Sequence, residues 1–401
     1  MTKLIPIADR GPLRILFAVT SMPVGGAETL LMNLVRRLDR ERFEPDIVCL
    51  KERGPLGETL ANEMPVHAGL LRGKWDLRVL GRLRQLIRQR RMDALITVGA
   101  GDKMFWGRLA AWLERVPVIC SALHSTGWPD TIGFLNRQLT SITDAFIAVA
   151  TNHGQFLVQR EGFPASKVVV IPNGIDTQVF QPVPADRQAV RDELGIPHDA
   201  PVAGIIAALR PEKNHSLFLA AAGQVRVQHP NAHFLIVGDG PERPRLESLV
   251  QSLDLVSCTH FLGTRADIAR ILAAIDVFAL TSHNEANPVS ILEALSCGVP
   301  VVATRVGSVH ETVIPHQTGF LANPGCRDEI AARVSELFSD PRRRQEMGIA
   351  GRILVETIGS LNHMVQGYEQ LVTKIYQRKC AKPVVAEIES TNPLADGYRA
   401  S

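Results

Sequence analysis

Apolar runs of strand length alternate with amphipathic helical stretches through almost the whole chain, and this alternation constrains the fold more than any other feature. A strand buried on both faces reads as a continuous apolar run, and parallel neighbours need a long crossover, usually a helix. The pattern therefore predicts βα units around parallel sheets, an α/β fold. Strand-length runs fall at 14–20, 44–50, 94–98, 117–123, 145–149 and 168–171, and again at 202–209, 234–237, 258–262, 275–280, 299–303 and 319–321. Between the two sets, Asn173-Gly174-Ile175-Asp176 is followed by Pro182, Pro184 and Pro197, which marks a linker. A chain of 401 residues has room for two domains. We expect one over 1–180 and a second over 181–358. A helix at 359–378 carries Met364, Val365, Tyr368, Leu371, Val372, Ile375 and Tyr376 at helical spacing, and should return to pack on the first domain, followed by a tail at 379–401.

The most informative local stretch is Ser282-His283-Asn284-Glu285-Ala286-Asn287-Pro288-Val289-Ser290-Ile291-Leu292-Glu293. Asn287 as N-cap and Pro288 as first helical residue predict a helix start, with Glu285 in the loop before it and Glu293 on the helix. The amides of Val289 and Ser290 would then point out of a helix N-terminus, a place suited to phosphate. The alternative is an ordinary helix start flanked by two solvated glutamates. Arg210 and Lys213 fall in another strand-to-helix turn, where two cations suit a pyrophosphate; two solvated charges are the plainer reading. Gly25 and Gly26 end the first strand in a turn that a ligand can approach closely. His124 closes the fourth run, at the strand edge where α/β sheets bind ligands, with Trp128 and Asp130 in the loop beyond it. The turn Val237-Gly238-Asp239-Gly240-Pro241 looks like part of a dinucleotide fingerprint, but its third glycine is replaced by Arg243, which argues against NAD.

Bulk properties narrow the partners. A net charge of +3 implies no nucleic acid. Six cysteines without a CxxC pair read as reduced core thiols of a cytoplasmic protein, and neither a signal-peptide core nor a membrane-length apolar run is present. One segment is strongly basic: residues 72–91 hold Arg72, Lys74, Arg78, Arg82, Arg84, Arg88, Arg90 and Arg91 against a single acid, Asp76. Leu77, Leu80, Leu83, Leu86 and Ile87 give it an apolar face, so it is a crossover helix packed on its sheet whose rim arginines are also suited to an anionic membrane surface.

Taken in order, these motifs resemble the retaining glycosyltransferases of family GT4, which have the two-domain GT-B fold. Those carrying the resemblance are Gly25-Gly26-Ala27-Glu28, Asn173-Gly174-Ile175-Asp176, Arg210-Pro211-Glu212-Lys213, Val237-Gly238-Asp239-Gly240-Pro241, and the E-x7-E pair Glu285 and Glu293 running into Glu293-Ala294-Leu295-Ser296-Cys297-Gly298-Val299-Pro300. The resemblance implies two Rossmann-like domains facing each other across a cleft, the first binding acceptor and the second a nucleotide-sugar donor. It places Glu293 on the donor ribose, Arg210 and Lys213 on the diphosphate, Glu285 beside the sugar ring and His124 on the sugar from the other domain. Gly238, Val289 and Ser290 join the donor site, and Gly25-Gly26 lies near diphosphate and acceptor. It implies a polysaccharide or lipid-linked glycan acceptor, a UDP-sugar as donor, and a cytoplasmic location, peripheral on the inner face of the cell membrane. No DxD metal motif occurs, and no cofactor is implied. The chain leaves the family pattern at Ala286-Asn287-Pro288, where sugar specificity is set. Alternatives of other classes are a nucleotide-sugar epimerase of the same fold, a two-lobed sugar-binding protein, and an NAD-linked oxidoreductase.

Overall fold

The computed structural model describes residues 4–73, 76–124 and 133–381. Two parallel sheets, of seven and six strands, bear out the expected α/β architecture. The first sheet contains β1 (Leu13–Val19), β2 (Phe43–Cys49), β3 (Val66–His67), β4 (Ala94–Val98), β5 (Val118–Ala122), β6 (Ala145–Ala148) and β7 (Val168–Val170). Its strand order is β3-β2-β1-β4-β5-β6-β7. The second contains β8 (Val202–Ile206), β9 (His233–Val237), β10 (Thr259–Gly263), β11 (Val277–Leu280), β12 (Val301–Thr304) and β13 (Gly319–Ala322), in the order β10-β9-β8-β11-β12-β13. Only β3 has no counterpart among the expected strands. It is two residues long and pairs on one side only, Ile47 with Val66 and Val48 with His67, so it leaves no apolar run to recognise.

Strand order decides where ligands can sit. In the first sheet the chain winds one way from β1 and then jumps back to β4; in the second it does the same between β8 and β11. At such a reversal the loops leave the carboxyl ends in opposite directions and open a crevice. Gly25-Gly26 follows β1, the loop at 99–101 follows β4, Arg210 and Lys213 follow β8, and Glu285 follows β11. The two crevices face each other.

The closing helix, Leu361–Ala381, crosses back as expected. Leu361, Met364, Val365, Tyr368, Val372, Ile375 and Tyr376 are buried in the core of the first sheet. Polar ties reinforce the packing: Glu369 accepts from the Asp39 amide at 2.9 Å, Tyr376 donates to the Ile5 carbonyl at 3.0 Å, and Lys379 pairs with Asp144 at 2.6 Å. At the linker, Ile175 donates to the Gly359 carbonyl and accepts from the Leu361 amide, joining the two crossings of the chain. Most of the expected tail, from 382 on, lies outside the described residues.

The basic segment forms a helix at Arg78–Arg90 that buries Val79, Leu83 and Ile87. One detail differs from expectation: Leu77 precedes the helix and is 71% exposed. The arginines are also largely engaged, Arg82 with Asp76, Arg84 and Arg88 with Glu114, and Arg90 with Asp46. Arg88, then Arg84, hold the Glu114 carboxyl down at about 2. Among the described residues no helix is long and apolar enough to cross a membrane.

Candidate active site

At the mouth of the second sheet, β8 ends at Ile206 and the chain makes a short turn, Pro211–Lys213, before the helix His215–Gln228. Lys213 reaches across to the loop after β11, where its Nζ lies 2.6 Å from Oε1 of Glu285. Ser282 donates to the same oxygen at 2.7 Å, and the Ser282 carbonyl is itself held by Thr304 at 2.6 Å. The Glu285 carboxylate is thus fixed in a buried position by one cation and one hydroxyl. Arg210 is exposed at the cleft. Gly238 supports this turn from behind. Its φ is +132°, and a Cβ there would meet the Ala207 carbonyl oxygen at 2.1 Å, so only glycine lets β9 end this close to the loop carrying Arg210 and Lys213.

The helix after Glu285 is Val289–Ser296, one residue shorter than expected, with Pro288 in the capping position. Asn287 does not cap it. Its Nδ2 donates instead to the Val149 carbonyl of the first sheet at 2.7 Å, while its own carbonyl accepts from Nδ2 of Asn173 at 2.8 Å. A cross-cleft partner has drawn the side chain away from the helix it precedes. The first amides of the helix, Val289 and Ser290, still belong to the turn that has no intrahelical acceptors. Opposite them stands the glycine loop: a Cβ on Gly26 would lie 3.6 Å from the Val289 side chain, so the two domains touch here. On the same helix, burial alone raises the Glu293 carboxyl to about 7.

The first domain contributes His124, just past β5. Its Nδ1 is buried without a hydrogen-bond partner. Burial first, then neighbouring His153 and Lys103, lower its pKa to about 4, so the imidazole is neutral at physiological pH. Trp128 and Asp130 lie outside the described residues. Two further charged groups, Glu28 and Lys103, are given no role by the sequence alone. Burial raises the Glu28 carboxyl, opposed by the charges of Lys103 and, from the other domain, Arg210. The signal for both was positional, since each begins the helix that follows a strand flanking the switch point, β1 for Glu28 and β4 for Lys103. The structure therefore places Arg210, Lys213, Glu285, Val289 and Ser290 in the loops at the carboxyl edge of the second sheet, where Gly26 of the first domain meets Val289, and places His124 at the carboxyl edge of the first sheet. Among the described residues, no group of three His, Cys, Asp or Glu side chains is placed to hold a metal ion.

Comparison with known proteins agrees with this arrangement. The family model "Glycosyltransferase Family 4" matches residues 24–179, and "Glycosyl transferases group 1" matches residues 186–353. A GDP-mannose-dependent monoacylated alpha-(1-6)-phosphatidylinositol monomannoside mannosyltransferase of Corynebacterium glutamicum is 32% identical over 288 residues, 68% of this chain and 74% of that protein. The chain belongs to glycosyltransferase family 4. This glycosyltransferase is also 28% identical to the UDP-Gal:alpha-D-GlcNAc-diphosphoundecaprenol alpha-1,3-galactosyltransferase of Escherichia coli, over 76% of this chain and 82% of that one. The fold is that of Anabaena HepE in complex with UDP-glucose, with a TM-score of 0.80 at 24% identity, covering 90% of this chain and 100% of the other. It is GT-B, as expected, and the enzyme is a hexosyltransferase.

Proposed function

We propose that this glycosyltransferase moves a hexose from a UDP-sugar to a lipid-linked or polysaccharide glycan, with retention at the anomeric carbon and without a metal ion. The observation that carries the reading is the pairing of Lys213 with Glu285 at the switch point of the second sheet, under the helix start that meets Gly26. A nucleoside diphosphate laid into this crevice would bring its phosphates to Arg210, Lys213 and the amides of Val289 and Ser290, and its ribose to Glu293. The sugar would then lie between Glu285 and neutral His124. Residues 181–358 act as the donor domain and 1–180 as the acceptor domain.

The chemical problem is to expel the diphosphate while positive charge grows on the sugar ring. Arg210 and Lys213 stabilise the departing phosphate, the task a divalent cation performs elsewhere. Glu285 stabilises the ring charge or holds sugar hydroxyls. On the same face the phosphate takes the proton of the attacking hydroxyl, which accounts for retention without an enzyme nucleophile. Closing the cleft excludes water and aligns both substrates. The lipid-linked acceptors named for the Corynebacterium and Escherichia coli relatives support an acceptor at the inner membrane face. With Arg82, Arg84, Arg88 and Arg90 paired internally, Arg72, Arg78 and Arg91 together with exposed Leu77 would contact anionic lipid. Flotation with anionic vesicles at low salt tests this, and a protein left wholly unbound rules it out.

The donor reading is tested by thermal shift against UDP, GDP, ADP and NAD, since a ligand of the folded state raises the melting temperature. UDP should stabilise the protein most, whereas a response to NAD alone overturns the assignment. Arg210→Ala and Lys213→Ala should each cut turnover by roughly 10²-fold or more. Near-normal turnover in either variant removes it from the diphosphate site.

A further inference from the structure

The helix Thr151–Gln159 of the first domain starts without a cap of its own. Its N-cap residue is Ala150, whose side chain accepts nothing, so the first amides have no local partner. The cap comes from the other domain. Glu311 places Oε2 2.9 Å from the Thr151 amide and Oε1 2.7 Å from the Asn152 amide. A carboxylate on two amides at a helix N-terminus is favoured both by charge-assisted hydrogen bonding and by the helix dipole.

The same contact leads to the sugar side of the cleft. Asn152 Nδ2 donates to the Gly307 carbonyl at 2.9 Å. Gly307 has φ +49°, and a Cβ there would lie 1.6 Å from the backbone carbonyl oxygen of Glu285, which also accepts from the Ser308 amide at 3.2 Å. Two residues on, Asn287 is tied to Val149 and Asn173. The loop bearing Glu285 is thus gripped between residues 305–311 of its own domain and residues 149–152 of the other. No free space separates Gly307 from Glu285, so a shift of one moves the other.

From this we infer that Glu311 is a positioning residue: by capping the helix Thr151–Gln159 across the domain boundary it couples the closed arrangement of the domains to the placement of Glu285. Glu311 touches neither donor nor acceptor and acts through Asn152, Gly307 and the Glu285 backbone. The catalytic part of this inference rests on the donor-site reading above, whereas the mechanical part does not, and the two are separable by experiment.

Amide hydrogen exchange on the full chain reads the mechanical part. Glu311→Ala should speed exchange at Thr151 and Asn152, and also at residues 285–290, by about tenfold or more, with Glu311→Gln between it and wild type because one carbonyl acceptor remains. Release confined to 151–152 overturns the coupling. Turnover of a UDP-sugar and the Kd of UDP read the rest: kcat should fall about 10-fold to 100-fold in Glu311→Ala, with partial recovery in Glu311→Gln and a UDP Kd within about threefold of wild type. Asn152→Ala, which removes only the Gly307 contact, should lower kcat in the same direction, and it carries the test if Glu311→Ala does not fold. Unchanged kcat, or a UDP Kd that weakens in step with kcat, overturns a positioning role. Lys213→Ala serves as the control: normal turnover in that variant indicts the donor site instead, and leaves the exchange result standing.

Discussion

Replacing Glu293 by glutamine should make the protein more stable, and increasingly so as pH rises. Burial lifts this carboxyl from the ordinary 4.5 to about 7. Between those values the folded chain retains a proton that the unfolded chain releases. With more protons bound to the native state, stability falls as pH increases, at about 1.4 kcal/mol per pH unit. The 4.5-to-7 interval corresponds to about 3 kcal/mol, present near pH 4.5 and lost by pH 7 to 8. Glutamine is neutral throughout and keeps it. Because Glu293 is half-buried, this figure is a ceiling. Urea unfolding of wild type and Glu293→Gln at pH 5, 6, 7 and 8 measures it. The variants should differ by at most about 1 kcal/mol at pH 5 and separate by up to about 3 kcal/mol at pH 8; a separation independent of pH refutes the reasoning. The residue so costly to ionise is the one proposed to hold a ribose diol, which prefers the carboxylate as acceptor. UDP binding at pH 6.5 should therefore release about three-quarters of a proton, read by calorimetry in two buffers of different ionisation enthalpy. Glutamine should abolish that release and weaken binding.

Three further outcomes follow from the geometry. His124, held down to about 4 by burial, should remain neutral from pH 8 to pH 5, which NMR of its imidazole nitrogens will show; titration near 6.5 would mean that the site is wetter than described. Gly307→Ala must displace the Glu285 backbone and adopt an unfavourable φ, so it should lose about 2–4 kcal/mol of stability in a denaturant titration and most of its turnover. In the basic helix, Leu83→Ala should cost about 2–5 kcal/mol and Leu77→Ala less than about 0.5, because one side chain is fully buried and the other 71% exposed; equal effects would contradict the packing of that helix.

The parallel sheets and the placement of the site at their switch points were legible because buried parallel strands leave continuous apolar runs whose ends carry the functional loops. What escaped was set by partners distant in sequence. Asn287 has the chemistry of an N-cap, and nothing local reveals that the Val149 carbonyl, 138 residues away, takes its amide. Glu311 looks like any glutamate after a glycine turn until the uncapped helix at Thr151 is brought against it, 160 residues apart. Leu77 fits the apolar stripe by spacing, but it precedes the first helical turn, so the helical period does not carry it to the sheet. Lys213 and Glu285 were each assigned to the donor, and their direct pairing is a result of folding that neither motif states.

The returning helix Leu361–Ala381 has a consequence for how the protein is made. Seven of its residues complete a core otherwise built from residues before 172. During synthesis the first sheet therefore emerges early but waits, with an apolar face uncovered, until nearly the whole chain has left the ribosome. The second sheet, built from one uninterrupted stretch of chain, has no such delay and can be finished while the first is still incomplete. Vectorial synthesis would then complete the two halves in the reverse of their order along the polypeptide. The exposed first sheet is the part on which a chaperone would act.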